Sequence, residues 1–283
     1  MARVVSSRRV TVVSLNVENV VPLLTAGKLP EMARALDEPE VLCLQELRIR
    51  ESDHDLGSAL ARSLGDYECG LSLNRDLRNV TFRGGRMYGV ATFVKRALAP
   101  RFANLAWDKE GRVVIAVFPD LRLVVANVYA VNGTDKPYFD HDLGTVNGDR
   151  HLFKRRFIEA LGSDMRALRD QGYELILTGD WNVSRTKLDT HPRLRTEEPH
   201  AVARKAFNEE FIPSLDLVDI FRELHPEERA YTWFNRRSRT LDAARVDFTL
   251  VSRGLVERVE SAGIRAEKAL RFGSDHAPHW VTL

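Results

Sequence analysis

The chain has 283 residues, of which 44% are hydrophobic and 29% are charged, so it carries ample apolar material for a folded core. Its formal net charge of +2 excludes a polycation, and any affinity for nucleic acid must therefore come from a local patch. Its two cysteines, Cys43 and Cys69, exclude a disulfide framework and fit a reducing compartment.

The N-terminal segment has no sustained apolar run and no small-residue cleavage site, which argues against a signal peptide. No stretch is long and apolar enough to cross a bilayer. No repeat, low-complexity tract or linker-like segment divides the chain. We therefore predict a cytoplasmic protein (nuclear in a eukaryote) that does not bind membranes. We expect it to be a monomer, folded as one domain over residues 1–283.

Strand-like runs recur along the whole chain, each rich in Val, Ile, Leu or Thr and bounded by turn residues or charge. In chain order they are RVTVVSLN, VLCLQE, YGVATFVK, VVIAVF, RLVVANVYA, ELILTGD, RVDFTLVS and HWVTL. Residues 153–168 carry apolar side chains at three- and four-residue spacing, which predicts an amphipathic helix. Residues 29–36 and 202–211 are shorter helix candidates.

VVIAVF and RLVVANVYA are separated by PDL, and this arrangement predicts a hairpin. Helical segments separate other strands. The mixture argues against a purely parallel sheet and favours mixed sheets flanked by helices.

Polar side chains stand where these strands end or begin. They are Asn16 and Glu18, Glu46, Asn127, Tyr129 and Asn132, Asp180 and Asn182, Asp247, and Asp275 with His276. Ionised carboxylates against apolar neighbours are costly unless a counter-charge offsets them. A divalent cation is the natural partner for three of the carboxylates and one amide oxygen, those of Glu18, Glu46, Asp275 and Asn16. All-oxygen ligands favour Mg²⁺ or Mn²⁺ over Zn²⁺.

Beside such a metal, the remaining strand-end groups form a hydrolytic set. Asp180 can take a proton from water that Asn182 holds. His276 can polarise a phosphoryl oxygen if Asp247 fixes its tautomer. Neither a GxxxxGK[ST] phosphate loop nor a GxSxG motif is present, so nucleoside-triphosphatase and serine-hydrolase chemistry lose their main support.

Several further residues are candidates for substrate binding. Arg83 and Arg86 flank two glycines in the loop RNVTFRGGR and are expected to contact phosphates, although basic runs are usually solvated faces. Asn127 and Asn132 are also expected to contact substrate. Trp233, in AYTWF, is equally compatible with packing and with base stacking. The run RHLFKRR is expected to be a solvated helix face.

The motifs SLNVE, CLQE, NVYAVNG, TGDWNV, RVDFTLVS and GSDHAP together resemble those of the endonuclease/exonuclease/phosphatase superfamily. The resemblance covers roughly residues 10–283. Within the superfamily, Tyr129 in NVY favours the exonuclease III and abasic-site endonuclease branch, because other branches carry His there. The resemblance implies an α/β fold: a four-layered α/β sandwich of two mixed β-sheets packed face to face, with helices outside.

The resemblance also implies an activity, namely Mg²⁺-dependent cleavage of DNA 5′ to an abasic site, with possible 3′–5′ exonuclease or 3′-phosphatase activity. It assigns roles by motif: Asn16, Glu18 and Glu46 at the metal, Tyr129 on the phosphate, Asp180 and Asn182 on the attacking water, Asp247 paired with His276, and Asp275 with His276 in the terminal SDH.

The chain departs from the branch at two places. Ala243 and Ala244 stand where bulky rings are expected around the abasic sugar, and an insert at 134–151 follows NVYAVNG. Two other functions therefore stay open. One is a phosphoesterase for inositol phosphates, phospholipid head groups or RNA. The other is a catalytically silent binding protein, which predicts the loss of an essential residue; none is lost.

Overall fold

The computed structural model describes residues 9–82, 88–133, 138–146, 149–193, 195–237 and 241–283. Its strands are β1 (Thr11–Asn16), β2 (Val41–Gln45), β3 (Tyr67–Ser72), β4 (Val90–Lys95), β5 (Arg101–Ala103), β6 (Val113–Phe118), β7 (Leu123–Tyr129), β8 (Glu174–Asp180), β9 (Thr190–His191), β10 (Leu217–Asp219), β11 (Trp233–Phe234), β12 (Ala243–Ala244), β13 (Asp247–Ser252), β14 (Ser261–Ile264) and β15 (His279–Thr282).

The α-helices are short except for one. They are α1 (Val21–Thr25), α2 (Leu29–Ala35), α3 (His54–Ala61), α4 (Leu77–Phe82), α5 (Arg150–Asp170), α6 (His200–Ala206), α7 (Ile212–Ser214) and α8 (Ile220–Leu224). A π-helical turn, Phe207–Phe211, joins α6 to α7. No helix among the described residues is long and apolar enough to span a membrane.

The strands form two six-stranded sheets and one small three-stranded sheet. The first large sheet has the order β14-β15-β1-β2-β4-β3 and the second β10-β13-β8-β7-β6-β5, while β11-β12-β9 forms the small sheet. Each large sheet has one parallel pair at its centre, β1 with β2 and β7 with β8, and its other pairs are antiparallel. Both large sheets are therefore mixed, as predicted.

Three apolar clusters hold the layers together. The central one contains Val12 and Val41 of the first sheet with Val125, Ile176 and Val251 of the second, so the two sheets pack face to face. A second cluster covers the outer face of the first sheet with α1, α2 and α3. The third covers the outer face of the second sheet with α5 and the π-helical turn. This is the predicted four-layered α/β sandwich.

The predicted strands are all present, and VVIAVF and RLVVANVYA form the expected hairpin. The helix predicted at 153–168 extends over Arg150–Asp170, because Asp149 accepts a hydrogen bond from the main-chain N–H of His151 and caps it. The strands that the pattern did not predict include β5, β9 and β12, which are too short to show a period of two.

The topology gathers polar strand ends at one edge. Parallel strands end on the same side, and antiparallel neighbours begin there. The ends of β1, β2, β7 and β8 therefore lie beside the start of β13. Gly179 has φ +142°, and a Cβ there would lie 1.9 Å from the Val128 carbonyl oxygen, so only glycine allows β8 to lie this close to β7 just before Asp180.

Candidate active site

Glu46, just after β2, is the centre of the acidic half of the site. Its Oε2 accepts hydrogen bonds from the Tyr129 hydroxyl at 3.0 Å and from Asn16 Nδ2 at 3.3 Å. Its Oε1 accepts from Arg48 Nε and Nη2 at 3.2 and 2.9 Å. Glu18 faces the same guanidinium, with its Oε1 3.7 Å from Arg48 Nη2. Two carboxylates thus converge on one cationic group.

Asp180, the last residue of β8, is buried and accepts several hydrogen bonds. Its Oδ1 accepts from the main-chain N–H of Asn182 at 2.9 Å. Its Oδ2 accepts from Asn16 Nδ2 at 3.0 Å and from Asn182 Nδ2 at 3.3 Å. Burial and the neighbouring carboxylate of Asp247 raise the pKa of Asp180 to about 7, although His276 and these hydrogen bonds oppose the shift. A carboxylate with such a pKa suits proton transfer near neutral pH.

His276 is held in place from two sides. Its Nδ1 lies 2.8 Å from Asp247 Oδ2, and its main-chain N–H donates to Ser274 Oγ at 3.0 Å. Ser274 Oγ in turn donates to the Asn16 carbonyl at 2.5 Å, which ties this loop to β1. Burial alone would lower the pKa of His276, but the carboxylates of Asp247, Asp180 and Asp275 outweigh burial and raise this pKa to about 10. The imidazolium is therefore the form that faces the site.

Asp275 and Trp233 form a hydrogen-bonded pair beside His276. Trp233 Nε1 donates to Asp275 Oδ2 at 3.1 Å, and Asp275 Oδ1 lies 3.8 Å from His276 Nε2. The indole is half-buried and lines the site cavity rather than the core.

Several site residues have left-handed backbone conformations that non-glycine residues rarely adopt. The φ angles of Glu18, Glu46 and Asn182 are +57°, +59° and +52°. Each stands just after a strand of the parallel pairs. Such strain is typical of functional sites, where the surrounding structure holds a side chain in a set direction. Trp181, fully buried with its Nε1 donating to the Phe248 carbonyl, anchors the turn between Asp180 and Asn182.

The described residues offer two acid-rich positions for a cation. One is the point where Glu18 and Glu46 converge, where Arg48 now supplies the positive charge. The other is the group Asp180, Asp247 and His276, whose ligand atoms lie within 4.8 Å of one another. A cation at the second position has to displace the proton that joins His276 to Asp247. The carboxylate oxygens at the first position fit a hard divalent cation without that cost.

An open cavity of about 990 Å³ contains most of these side chains. Tyr129, Asn132, Asn182 and His276 line it, and Glu18, Glu46 and Asp275 line it as well. Their roles on substrate, water and metal stay predictions. Ala243 and Ala244 of β12 form part of its wall beside Trp233. The two positions without rings therefore lie in the cavity and leave it wide.

Four of the predicted residues need correction or fall outside the structure. Asn127 is 0% exposed and donates to the Ala91 carbonyl at 2.8 Å in the opposite sheet, so the prediction that it binds substrate is wrong. Asn16 directs its amide nitrogen at Glu46 and Asp180, while its oxygen accepts from the Glu18 N–H, so its predicted role as an oxygen ligand is wrong in this geometry. Arg83 and Arg86 lie outside the described residues.

Part of the insert packs against α4 instead of crossing the cavity. The main-chain N–H of Phe139 donates to Asn79 Oδ1 at 2.9 Å, and His141 Nε2 lies 2.9 Å from Asp76 Oδ1. The Arg78 guanidinium stacks 4.4 Å from the centre of the Phe139 ring. Residues 138–146 of the insert are thus fixed against α4 and the residues just before it.

Sequence reasoning missed two cationic residues of the site, Arg48 and Lys154. Lys154 Nζ donates to the Asn182 carbonyl at 2.7 Å. A signal for Lys154 was present, because it precedes Ile158 by four and Leu161 by seven residues and so falls on the buried stripe of α5. Arg48, two residues after Glu46 in QELR, carried no signal beyond its proximity in sequence.

Comparison with known proteins gives a consistent result. The model of the endonuclease/exonuclease/phosphatase family matches residues 13–276. An exodeoxyribonuclease of Bacillus subtilis is 28% identical over 251 residues, which cover 86% of this chain and 87% of that protein. The zebrafish (Danio rerio) DNA repair nuclease APEX1 is 31% identical over 186 residues, covering 62% of this chain and 52% of that protein.

Two solved structures share the fold of this chain. The APE2 catalytic domain of Xenopus laevis superposes with a TM-score of 0.75 at 25% identity, over 96% of this chain and 91% of that one. The 3′–5′ exonuclease NExo of Neisseria meningitidis gives 0.73 at 25% identity, over 96% and 98%. From the family match over most of its length, the chain belongs to the endonuclease/exonuclease/phosphatase family and is a hydrolase of that family.

Proposed function

We propose that this protein is a DNA phosphodiesterase that uses Mg²⁺ or Mn²⁺ and cleaves 5′ to an abasic site. The observation that carries the proposal is the hydrogen-bonded group of Glu46, Asn16 and Asp180 beside the pair of His276 and Asp247, with Glu46, Asp180 and His276 lining one cavity. The relatives named as an exodeoxyribonuclease and a DNA repair nuclease support DNA as the substrate.

The chemistry follows from the side chains. Asp180 accepts a proton from a water molecule that Asn182 orients, and the water attacks phosphorus in line. The imidazolium of His276 and the Tyr129 hydroxyl donate to the non-bridging oxygens of the phosphate, where negative charge develops. A divalent cation at Glu46, with Glu18 and Asp275 nearby, would stabilise charge on the phosphoryl oxygens and on the leaving oxygen.

A second activity, removal of nucleotides or phosphate from 3′ ends, is favoured by one observation. Because Ala243 and Ala244 have small side chains, the cavity keeps a volume of about 990 Å³, which is large enough for a nucleotide that retains its base. The 3′–5′ exonuclease NExo and the Bacillus exodeoxyribonuclease support this second candidate. We also propose that the protein works as a monomer on damaged duplex DNA, in the cytoplasm or, in a eukaryote, the nucleus.

A substrate panel tests the proposal. Purified protein is incubated with Mg²⁺, Mn²⁺ or EDTA on a duplex with one abasic analogue, an intact duplex with a recessed 3′ end, single-stranded RNA and inositol phosphates. Nicking at the analogue that EDTA abolishes is the expected result. Degradation from the recessed end without nicking favours the second candidate, and activity on inositol phosphates or RNA alone contradicts both.

Two variants test in the same panel whether Asp180 is required for nicking. Asp180→Asn removes the proposed base, and it is expected to abolish nicking while DNA binding persists. Asp216→Asn is the matched control, because Asp216 is an exposed aspartate that pairs with Arg253 at the surface. Equal activity of the two variants would contradict the role of Asp180 as the base.

A further inference from the structure

The cavity is lined by both acidic and basic side chains. Glu18, Glu46, Asp180 and Asp275, described above, line it together with Asp242 and Arg48. Four further cationic residues line it and are here called the basic wall: Lys154, Arg193, Arg195 and Arg204. His191 and His200 also line the cavity. The basic wall comes from α5, α6 and the segment between β9 and α6, and no motif that carries the family resemblance contains it.

Lys154 joins the basic wall to the catalytic turn. It is only 6% exposed, and one of its three N–H donors is used by the Asn182 carbonyl at 2.7 Å. Burial lowers the pKa of Lys154 to about 8, and Arg204 adds to this shift while Asp180 opposes it. A buried ammonium without a hydrogen-bonded carboxylate is costly, and an anion arriving beside it would offset that cost.

Two arginines of the basic wall have defined contacts. Arg204 donates from Nε to the Ser184 carbonyl at 2.8 Å and from Nη2 to the Arg195 carbonyl at 2.7 Å. Arg195 Nη1 lies 3.4 Å from His200 Nε2. Within the described ranges, none of the ion pairs joins a member of the basic wall to a carboxylate, but the exposed Glu197 carboxylate interacts electrostatically with Arg195 and Arg204. The carbonyls that accept from Lys154 and Arg204 are neutral, and this one carboxylate does not balance four cations, so the basic wall keeps a net positive charge.

We propose that the basic wall binds a second phosphate of the nucleic-acid strand, next to the scissile phosphate on the Asn182 side. The inference rests on the proposed function, because His276 and Tyr129 occupy the position of the scissile phosphate. A phosphate monoester has a single phosphate, which the catalytic position would take, whereas a polynucleotide has a phosphate at every step. The basic wall thus favours polynucleotides over small esters that carry one phosphate.

The test combines an uncharged phosphate analogue in the DNA with an uncharged side chain in the protein. Duplexes carry one uncharged methylphosphonate at each position near the cut in turn, and each is cleaved by the wild-type protein and by Arg195→Met. Lys205→Met is the matched control, because Lys205 follows Arg204 in α6 but is 71% exposed and points to Glu209. A hydrogen bond to a charged group contributes enough for about a tenfold loss in kcat/KM.

We expect one methylphosphonate position to lower the wild-type kcat/KM about tenfold and to cause no further loss in Arg195→Met. The dependence of log Kd on log salt, measured in EDTA, should be shallower by about 0.9 for Arg195→Met and unchanged for Lys205→Met. Lys154→Met should show the same coupled position. Losses that add independently at every position would overturn the proposal.

A second arm identifies the source of the phosphate. Strands that end at the coupled position with a phosphate or with a hydroxyl are compared with continuous strands. Coupling on continuous strands supports an internal phosphate, and coupling only at a terminal phosphate supports recognition of a strand end by the same residues. If the wild-type protein cleaves no DNA, the proposed function fails. If it cleaves DNA and Arg195→Met behaves like Lys205→Met, only the second phosphate site fails.

Discussion

Two buried aspartates at the ends of strands in the same sheet have opposite electrostatic surroundings. Asp219, at the end of β10, accepts from Arg245 Nη1 and Nη2 at 3.0 and 2.7 Å and from Arg185 Nη1 at 2.7 Å. Burial alone would raise the pKa of Asp219, but these guanidinium groups outweigh it and lower the pKa. Asp180, at the end of β8, has no guanidinium partner among the described residues, and its pKa is raised.

The difference separates a structural group from a functional one. Arg245 also donates to Asp189, which accepts from Arg222 as well, so the two carboxylates of that cluster face three guanidinium groups. At the other cluster Asp180 and Asp247 share one imidazolium, and Asp247 Oδ1 has no hydrogen-bond partner among the described residues. A protein that keeps a buried carboxylate short of partners loses stability there, and it gains a group able to exchange a proton.

The largest effect on stability is expected from removing Arg245 from its cluster with Asp189 and Asp219. Arg245→Met leaves the carboxylates of Asp189 and Asp219 buried with fewer partners and should lower the free energy of unfolding by about 3–5 kcal/mol. Arg253→Met, which breaks an exposed pair with Asp216, should cost less than about 1 kcal/mol. Denaturant unfolding measures both, and equal losses would show that the buried cluster has no special role.

His276→Gln should act on both catalysis and stability. It removes the donor to the scissile phosphate, and we expect kcat to fall about 10²- to 10³-fold. It also leaves the buried Asp247 carboxylate without its cationic partner, so the unfolding midpoint should fall as well. His54→Gln, at an exposed position in α3, is the control. A loss of only a fewfold in single-turnover cleavage would remove His276 from the chemistry.

The two aspartates should respond oppositely to pH. The pKa of Asp180 is raised from 3.8 to about 7, so its charge destabilises the fold increasingly as pH rises through that range. Asp180→Asn should therefore be more stable than wild type at pH 8 and lose this advantage towards pH 4. The pKa of Asp219 is lowered, so Asp219→Asn should be less stable at pH 8 and regain wild-type stability only as pH falls below 3.8. Thermal unfolding in EDTA across this range measures both, and shifts of the same sign would contradict the comparison.

The smallest effect is expected at Trp233. Trp233→Phe keeps an aromatic ring in the cavity but removes the hydrogen bond to Asp275, and a loss of about 1 kcal/mol predicts about a fivefold fall in kcat. Trp107→Phe removes the same kind of hydrogen bond, to Asp164 at 2.7 Å, away from the cavity. It should leave kcat unchanged, so matching losses in the two variants would make the effect structural.

Much of the fold and the main catalytic groups were predictable because they depend on local patterns. The strands show in runs of branched apolar residues, and topology brings polar residues at their ends to one edge. The depth of each polar side chain between the two sheets was not predictable. Asn127 and Tyr129 alternate onto the same face of β7, but Tyr129 lies at the cavity while Asn127 lies two residues deeper, between the sheets.

Side chains that act through long-range contacts were also beyond the sequence. Lys154 belongs to a run that resembles a solvated helix face, and only the packing of α5 against the Asn182 turn makes it part of the cavity. The direction of the Asn16 amide depends on which neighbour needs its oxygen, in this case the N–H of Glu18. The spacing of Lys154 in α5 predicts burial but not the carbonyl that its ammonium contacts, and the direction of the Asn16 amide has no periodic signature.

The central claim is that Asp180, which has no guanidinium partner among the described residues, transfers the proton. The most direct test of this claim is single-turnover cleavage by Asp180→Asn. The assay uses Mg²⁺ at pH 8 and a duplex with one abasic analogue. We expect the cleavage rate to fall by about 10²- to 10⁴-fold while the Kd for DNA stays close to that of wild type. A rate within a fewfold of wild type, with binding intact, would contradict the claim.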